Sequence, residues 1–328
     1  MTRFNRRSLL TALSALALVA AAPLSAPASA QDALPELKLM APAGAGGGWD
    51  TAARTLQEVM TQTGVARSVQ VINVPGAGGT VGLAQFVGQA DGDPSQLMVG
   101  GITMVGAIIS NKAPVSLDQV TPLARLTGDP LVIVVPKDSP LKTIDDLIAA
   151  LKADVASTTW AGGSAGGADH ILAALVTKAA GVDPAKVNYV AFSGGGEALA
   201  AMLGGRVSAG VSGYGEFESQ IETGELRALA LSSPERLAGV DVPTLKEQGV
   251  DVEVVNWRGL FAGPNIADED KAKLSAAVET TVKSPEWAEV LKARGWTDYY
   301  APADEFAAFV SSENARLGEI LKSIGLAD

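Results

Sequence analysis

Gly162-Gly163-Ser164-Ala165-Gly166 has the spacing G-x-S-x-G, which in acyl-transfer enzymes sets a serine on a sharp strand-to-helix turn. That chemistry also needs a histidine far downstream, beyond the acid. The only histidine, His170, follows Ser164 by six residues and falls within the helix that the turn would open. A triad in the required order cannot be assembled, so a serine hydrolase using Ser164 is kept only as the alternative reading. One histidine and no cysteine leave carboxylates alone as metal ligands, without calcium-loop spacing, so no metal or cofactor is expected. Neither G-x-G-x-x-G nor G-x-x-x-x-G-K-[ST] occurs, which removes the usual nucleotide fingerprints.

Glycine is left as the chemically informative residue. It clusters four times: Gly44, Gly46, Gly47 and Gly48; Gly76, Gly78 and Gly79; Gly162 to Gly167; and Gly194 to Gly196. Each cluster follows an apolar run and precedes a helical pattern. The strands expected around the first two are 37–41, 69–74 and 96–102, with helices at 50–62 and 81–89. Around the other two, strands are expected at 158–161, 187–192 and 207–212, with helices at 143–152, 168–180 and 197–203. Further strands are expected at 227–231 and 252–261, and the tail from Asp268 reads as mostly helical. Strands alternating with helices predict a parallel sheet covered on both faces. Pro130 to Pro136 is an unbroken apolar run, the pattern of a strand buried on both sides.

At the carboxyl edge of such a sheet, helix N-termini present unpaired N–H groups, and glycine lets an anion reach them. A hydrogen bond to a charged group contributes about 1.5–3 kcal/mol and a helix end about 0.3–1 more, while micromolar affinity needs about 8. One loop is too few, whereas several loops closing on a ligand with two or three carboxylates suffice. The architecture therefore reads as two α/β lobes, with the extended stretches near 131–136 and 252–261 as crossovers. The expected boundaries are 31–131 plus 257–328 for lobe 1 and 132–256 for lobe 2.

Composition bounds the setting. Arg3, Arg6 and Arg7, then an apolar stretch from Ser8 to Ala22, then Ala28-Ser29-Ala30 predict a signal peptide at 1–30, exported by the general secretory or the twin-arginine route. Its removal takes 25 basic residues to 22 against 36 acidic ones, a formal charge of −14. That balance argues against nucleic acid and anionic membranes as partners. An anion can still bind through local main-chain donors.

Several stretches together resemble the substrate-binding proteins of tripartite tricarboxylate transporters, the Bug or TctC family. They are Ala41-Pro42-Ala43-Gly44 with Gly48-Trp49-Asp50 and Ala53-Arg54, Asn73 to Gly79, Gly163-Ser164-Ala165-Gly166 with His170, Gly224 to Ala230, Val242 to Leu245, and Asn256-Trp257-Arg258-Gly259-Leu260. The resemblance spans essentially the whole chain after residue 30. It implies a monomeric, non-enzymatic periplasmic receptor of Venus-flytrap fold, each lobe a mostly parallel sheet flanked by helices. Such a receptor closes on a small di- or tricarboxylate and delivers it to a two-subunit membrane permease, or presents it to a sensor.

Carried over residue by residue, the resemblance places Ala43, Gly44, Gly46, Gly47, Gly48, Trp49 and Asp50 at the ligand from the first loop. Gly76, Gly78, Gly79 and Thr103 follow on the same lobe. Ser164, Ala165, Gly166, Asp169 and His170 face them, with Ser193, Gly194 and Gly195. Arg258 is placed either at an extra carboxylate or in the hinge, paired with a backbone carbonyl or an acidic neighbour. Trp49, Trp160 and Trp257 are candidates for cleft or core. Two departures matter: Asn188 to Gly194 replaces a more basic segment, and Ser212-Gly213-Tyr214 stands where an acid is usual. The second weakens an amino-acid ligand, while Gly46 to Asp50 and Asn256 to Gly259 resemble the citrate-type branch, so a citrate-like tricarboxylate or a dicarboxylate is expected.

Overall fold

The computed structural model describes residues 33–328. The expected signal peptide lies outside the described residues. The chain begins with β1 (Leu34–Ala41), α1 (Gly48–Gln62), β2 (Ala66–Asn73), α2 (Thr80–Gln89), β3 (Gln96–Gly101) and α3 (Ile102–Ser110). The sixteen-residue β4 (Thr121–Pro136) follows, then α4 (Ile144–Ala153), β5 (Thr159–Gly162), α5 (Ala168–Ala179), β6 (Asn188–Ala191) and α6 (Gly195–Leu203). Next come β7 (Ala209–Gly213), α7 (Tyr214–Glu222), β8 (Leu226–Leu231) and β9 (Val255–Ala262). The chain finishes with α8 (Asp268–Val282), α9 (Pro285–Arg294), β10 (Thr297–Pro302) and α10 (Ala303–Ser323).

The strands pair in the order β2-β1-β3-β9-β4-β7-β5-β6, with β8 and β10 also on β4. The parallel strands expected in each lobe are β2-β1-β3 at one end and β7-β5-β6 at the other. Between them β4 pairs antiparallel with β9 and β10 through its first half and with β7 and β8 through its second. A strand that serves two sheets must be apolar on both faces. Leu131, Val132, Ile133, Val134 and Val135 accordingly have no exposed surface.

The first helix shows how the sequence positions a loop. Trp49, Ala52, Ala53, Leu56, Val59 and Met60 recur at helical spacing and are all buried. Burying each of the larger ones contributes about 1.5–3 kcal/mol. That packing fixes the start of α1 over the end of β1, so the glycines between them are held at the sheet edge. Two sequence expectations change. Ile102, expected to end the third strand, instead opens α3, which buries Ile102, Met104, Val105 and Ala107 against the core. The helical tail is interrupted by β10, whose pairing with β4 overrides the helical reading.

Candidate functional site

The β-to-α loops of both sheet ends meet around one cleft of ≈ 200 Å³. From the first come residues 42–44 and 47–49, 75–79, and Thr103. From the second come 163–164, 167–169, 193–195, 212–213 and Glu216. Asn256 and Arg258 of β9 close its floor. The loops approach closely: a β-carbon on Gly194 would lie 3.7 Å from the Gly47 Cα, on the opposite wall. At Gly76-Ala77-Gly78-Gly79 all four residues have positive φ, a backbone path that glycine supplies at little steric cost.

The helices α1, α5 and α6 start at Gly47, Gly167 and Gly194, and none of these starts carries a side-chain cap. By contrast, α4 and α9 are capped by the Thr143 and Ser284 side chains. Uncapped first-turn amides and the positive end of the helix dipole are what an anion requires. In each of the three helices a first-turn acid folds back to hold its loop. Asp50 accepts the Gly46 N–H at 2.8 Å, Asp169 the Gly163 N–H at 2.7 Å, and Glu197 the Ser193 N–H at 3.2 Å.

Fifteen of the expected ligand residues line the cleft: Ala43, Gly44, Gly47, Gly48, Trp49, Gly76, Gly78, Gly79, Thr103, Ser164, Asp169, Ser193, Gly194, Gly195 and Arg258. Five fall outside it. Asp50 is a buried brace, receiving Arg54 Nε at 2.9 Å and Asn73 Nδ2 at 2.8 Å. Against the burial that would raise it, the hydrogen bonds from Arg54, Gly46 and Asn73 hold its carboxyl below the usual range. Gly46 lies behind the loop, Ala165 is exposed, and Gly166 packs against α3. His170 stacks on Tyr189 at 4.1 Å between ring centroids, and its Nδ1 accepts the Gly166 N–H. Among the described residues no hydrogen bond joins Ser164 to His170. Trp49 lines the cleft, whereas Trp160 and Trp257 are core.

The sequence did not point to Asp129 or Glu216. Asp129 receives Arg258 Nη2 at 2.7 Å, with both side chains 3 % exposed. The acidic neighbour considered for Arg258 is therefore real, and Arg258 also reaches the cleft. Glu216, in the first turn of α7, receives the Ser212 hydroxyl at 2.6 Å. Burial pushes up the carboxyls of Asp129 and Glu216.

Burial likewise pushes Asp169 up to about 7 and the His170 imidazole down to about 4. These two shifts oppose each other. Between pH 3.8 and about 7, folded Asp169 holds a proton that the unfolded chain has released, so its contribution to stability falls as pH rises. Between about 4 and 6.5, folded His170 is neutral while the unfolded imidazole is protonated, so stability falls as pH drops. Urea midpoints at pH 5 and 7.5 separate them. Relative to wild type, Asp169→Asn is expected to lose stability on acidification, and His170→Gln to gain it. Parallel pH profiles in all three proteins would contradict these assignments.

Residues 52–326 match the model of the family described as "Tripartite tricarboxylate transporter family receptor". Protein BugT of Bordetella pertussis is 29% identical over 314 residues, covering 94% of this chain and 95% of that protein. The periplasmic binding protein BugD superposes with a TM-score of 0.80 at 24% identity, over 89% of this chain and 98% of that one. MatC of Rhodopseudomonas palustris, solved with bound malate, superposes at 0.78 with 27% identity, over 88% and 99%. The fold is the two-lobed α/β fold of periplasmic binding proteins. With the family's pattern running from the first loop helix to the end of α10, the chain belongs to the tripartite tricarboxylate transporter receptor family.

Proposed function

We propose that this protein is a periplasmic receptor that captures a small di- or tricarboxylate between two lobes and delivers it to a two-subunit membrane permease. Residues 33–131 and 257–328 form the first lobe in this reading, and 132–256 the second. The observation that carries it is the convergence of three uncapped, glycine-started helices on one cleft whose walls come from both ends of the sheet. Main-chain N–H groups supply the anion site, which is why an acidic chain needs no lysine cluster to bind a carboxylate. MatC, with its bound malate, supports the ligand class. Ligand held by both walls favours the closed arrangement by its differential affinity, giving the permease a state to recognise.

A thermal-shift panel tests the proposal: citrate, malonate, succinate, malate, adipate, terephthalate, glutamate and nicotinate, each after co-purified ligand has been removed by partial unfolding. A true ligand at a hundredfold over its Kd is expected to stabilise by about 2.7 kcal/mol, a rise of several degrees. No shift with any of the eight would overturn the carboxylate reading.

A further inference from the structure

The cleft offers main-chain donors to an anion, yet most of the charged side chains around it are acids. Asp169 and Glu216 line its walls, and Arg258 is the one basic residue among the described residues lining it. Arg258 is not free to balance them, because its Nη2 donates to the Asp129 carboxylate at 2.7 Å. Three carboxylates against one guanidinium leave two negative charges uncompensated when all are ionised. A ligand carboxylate would add like charge in a confined space, where repulsion is screened far less than at an open surface.

A proton resolves the conflict, and the hydrogen bonds show which carboxyl has room for it. Glu216 accepts the Ser212 hydroxyl at 2.6 Å and the Gly195 N–H, both of which favour its ionised form. Asp169 accepts one bond, from the Gly163 N–H to Oδ2 at 2.7 Å. Among the described residues its Oδ1 has no partner, and unlike the sealed Oδ1 of Asp129 it keeps open surface on the cleft wall. A neutral carboxyl has one O–H to give, and an ionised carboxylate is its strongest acceptor. Burial pushes the Asp169 carboxyl up to about 7 against the Gly163 N–H; Glu216 of α7 and Asp129 of β4 push the same way, and Arg258 of β9 opposes them. Its other titratable neighbours are committed. Tyr189 of β6 gives its hydroxyl to the Gly163 carbonyl at 2.8 Å, and burial holds it protonated. His170, the next residue of α5, stacks on Tyr189 and is kept neutral by burial above about 4.

We infer that the cleft takes up one proton with each carboxylate ligand, held on Asp169 Oδ1 and shared with the ligand's carboxylate. This rests on the proposed carboxylate function and adds its regulation: capture tightens as the surroundings acidify. The sign follows from linkage. The anion favours the neutral form of Asp169, so protonation of Asp169 favours the anion by the same factor. Above about 7, where Asp169 of the free protein is ionised, each further pH unit should weaken binding by close to tenfold.

Isothermal titration of the chain after residue 30 with the eight carboxylates of the panel tests the inference between pH 7 and 8.5, where their carboxyl groups are themselves ionised. Titrations at pH 8 are run in both HEPES and Tris, whose different heats of ionisation count the protons taken up. Wild type is expected to take up close to one proton per ligand at pH 8 and to bind about eightfold less tightly at pH 8.5 than at 7.5. Asp169→Asn keeps an acceptor for the Gly163 N–H and presents an N–H where the neutral carboxyl presents its O–H. It should therefore still bind, with uptake near zero and affinity level across this range; a melting curve in the same buffers shows that it is folded. No uptake and pH-independent affinity in wild type overturns the inference while the carboxylate cleft stands. So does uptake that persists, or binding that vanishes, in folded Asp169→Asn. Failure of all eight to bind at any of these pH values overturns both.

Discussion

Arg258→Met is expected to destabilise the protein by about 3–5 kcal/mol, because it leaves the Asp129 carboxylate buried without its partner. At the scale of this chain that is a fall of roughly 10 °C in melting temperature. Both groups are 3 % exposed, so solvent cannot take over from the lost guanidinium. The pH dependence identifies the cause. Burial already raises Asp129 despite Arg258, and without the cation its carboxyl rises further. The folded variant then binds a proton that the unfolded chain releases, so its deficit shrinks as pH falls. The loss should be larger at pH 8 than at pH 5. Adding Asp129→Asn should recover most of it, since the charge is removed at nearly constant volume. Constant volume matters because Gly213 sits against this carboxylate, its missing β-carbon only 2.3 Å from Oδ2. Urea unfolding of the single and double variants decides the point: a loss below about 1 kcal/mol, equal at both pH values, would contradict the buried-pair account.

Ser164→Trp is expected to abolish ligand binding while sparing the fold. Ser164 is half-buried on the cleft wall, and its Cβ lies 3.8 Å from where a Gly78 β-carbon would stand on the facing loop. An indole there occupies much of a ≈ 200 Å³ space and holds the two walls apart. Affinity should fall at least about a hundredfold, which removes the roughly 2.7 kcal/mol of stabilisation that saturating ligand confers. Without ligand, the variant's melting temperature should stay near that of wild type, because no packed core atom is displaced. Wild-type affinity in this variant, measured by titration calorimetry, would move the site elsewhere.

The parts of this site legible in the sequence are those with local causes. Glycine clusters after apolar runs locate the loops at 43–49, 76–79, 163–167 and 193–195 because close approach to main-chain N–H groups and positive φ are demands made within a few residues. The parallel strands flanking those loops were legible for the same reason: their periodicity is their own. Asp129 was not, since it sits inside an apolar strand and acquires meaning only when β9 lies beside β4, with Thr127 opposite Arg258 and Asp129 opposite Asn256. Glu216 was missed with its helix: α7 is short, and Ser212 suggested that no acid was present. Asp50 and His170 differ in another respect. Their types suggest ligand chemistry, yet the fold uses the first to pin a loop and the second to stack against Tyr189. A side chain's partners across 30 to 130 residues of sequence are set by register and packing, which a single chain does not display.

In the proposed receptor, main-chain amides at the starts of α1, α5 and α6 hold the ligand's carboxylate. Hydrogen–deuterium exchange with and without the best-stabilising carboxylate measures those amides directly. Slowed exchange is expected to concentrate in residues 43–50, 163–170 and 193–198, on both walls of the cleft. Ligand that stabilises the protein while leaving exchange in these three loops unchanged would contradict it.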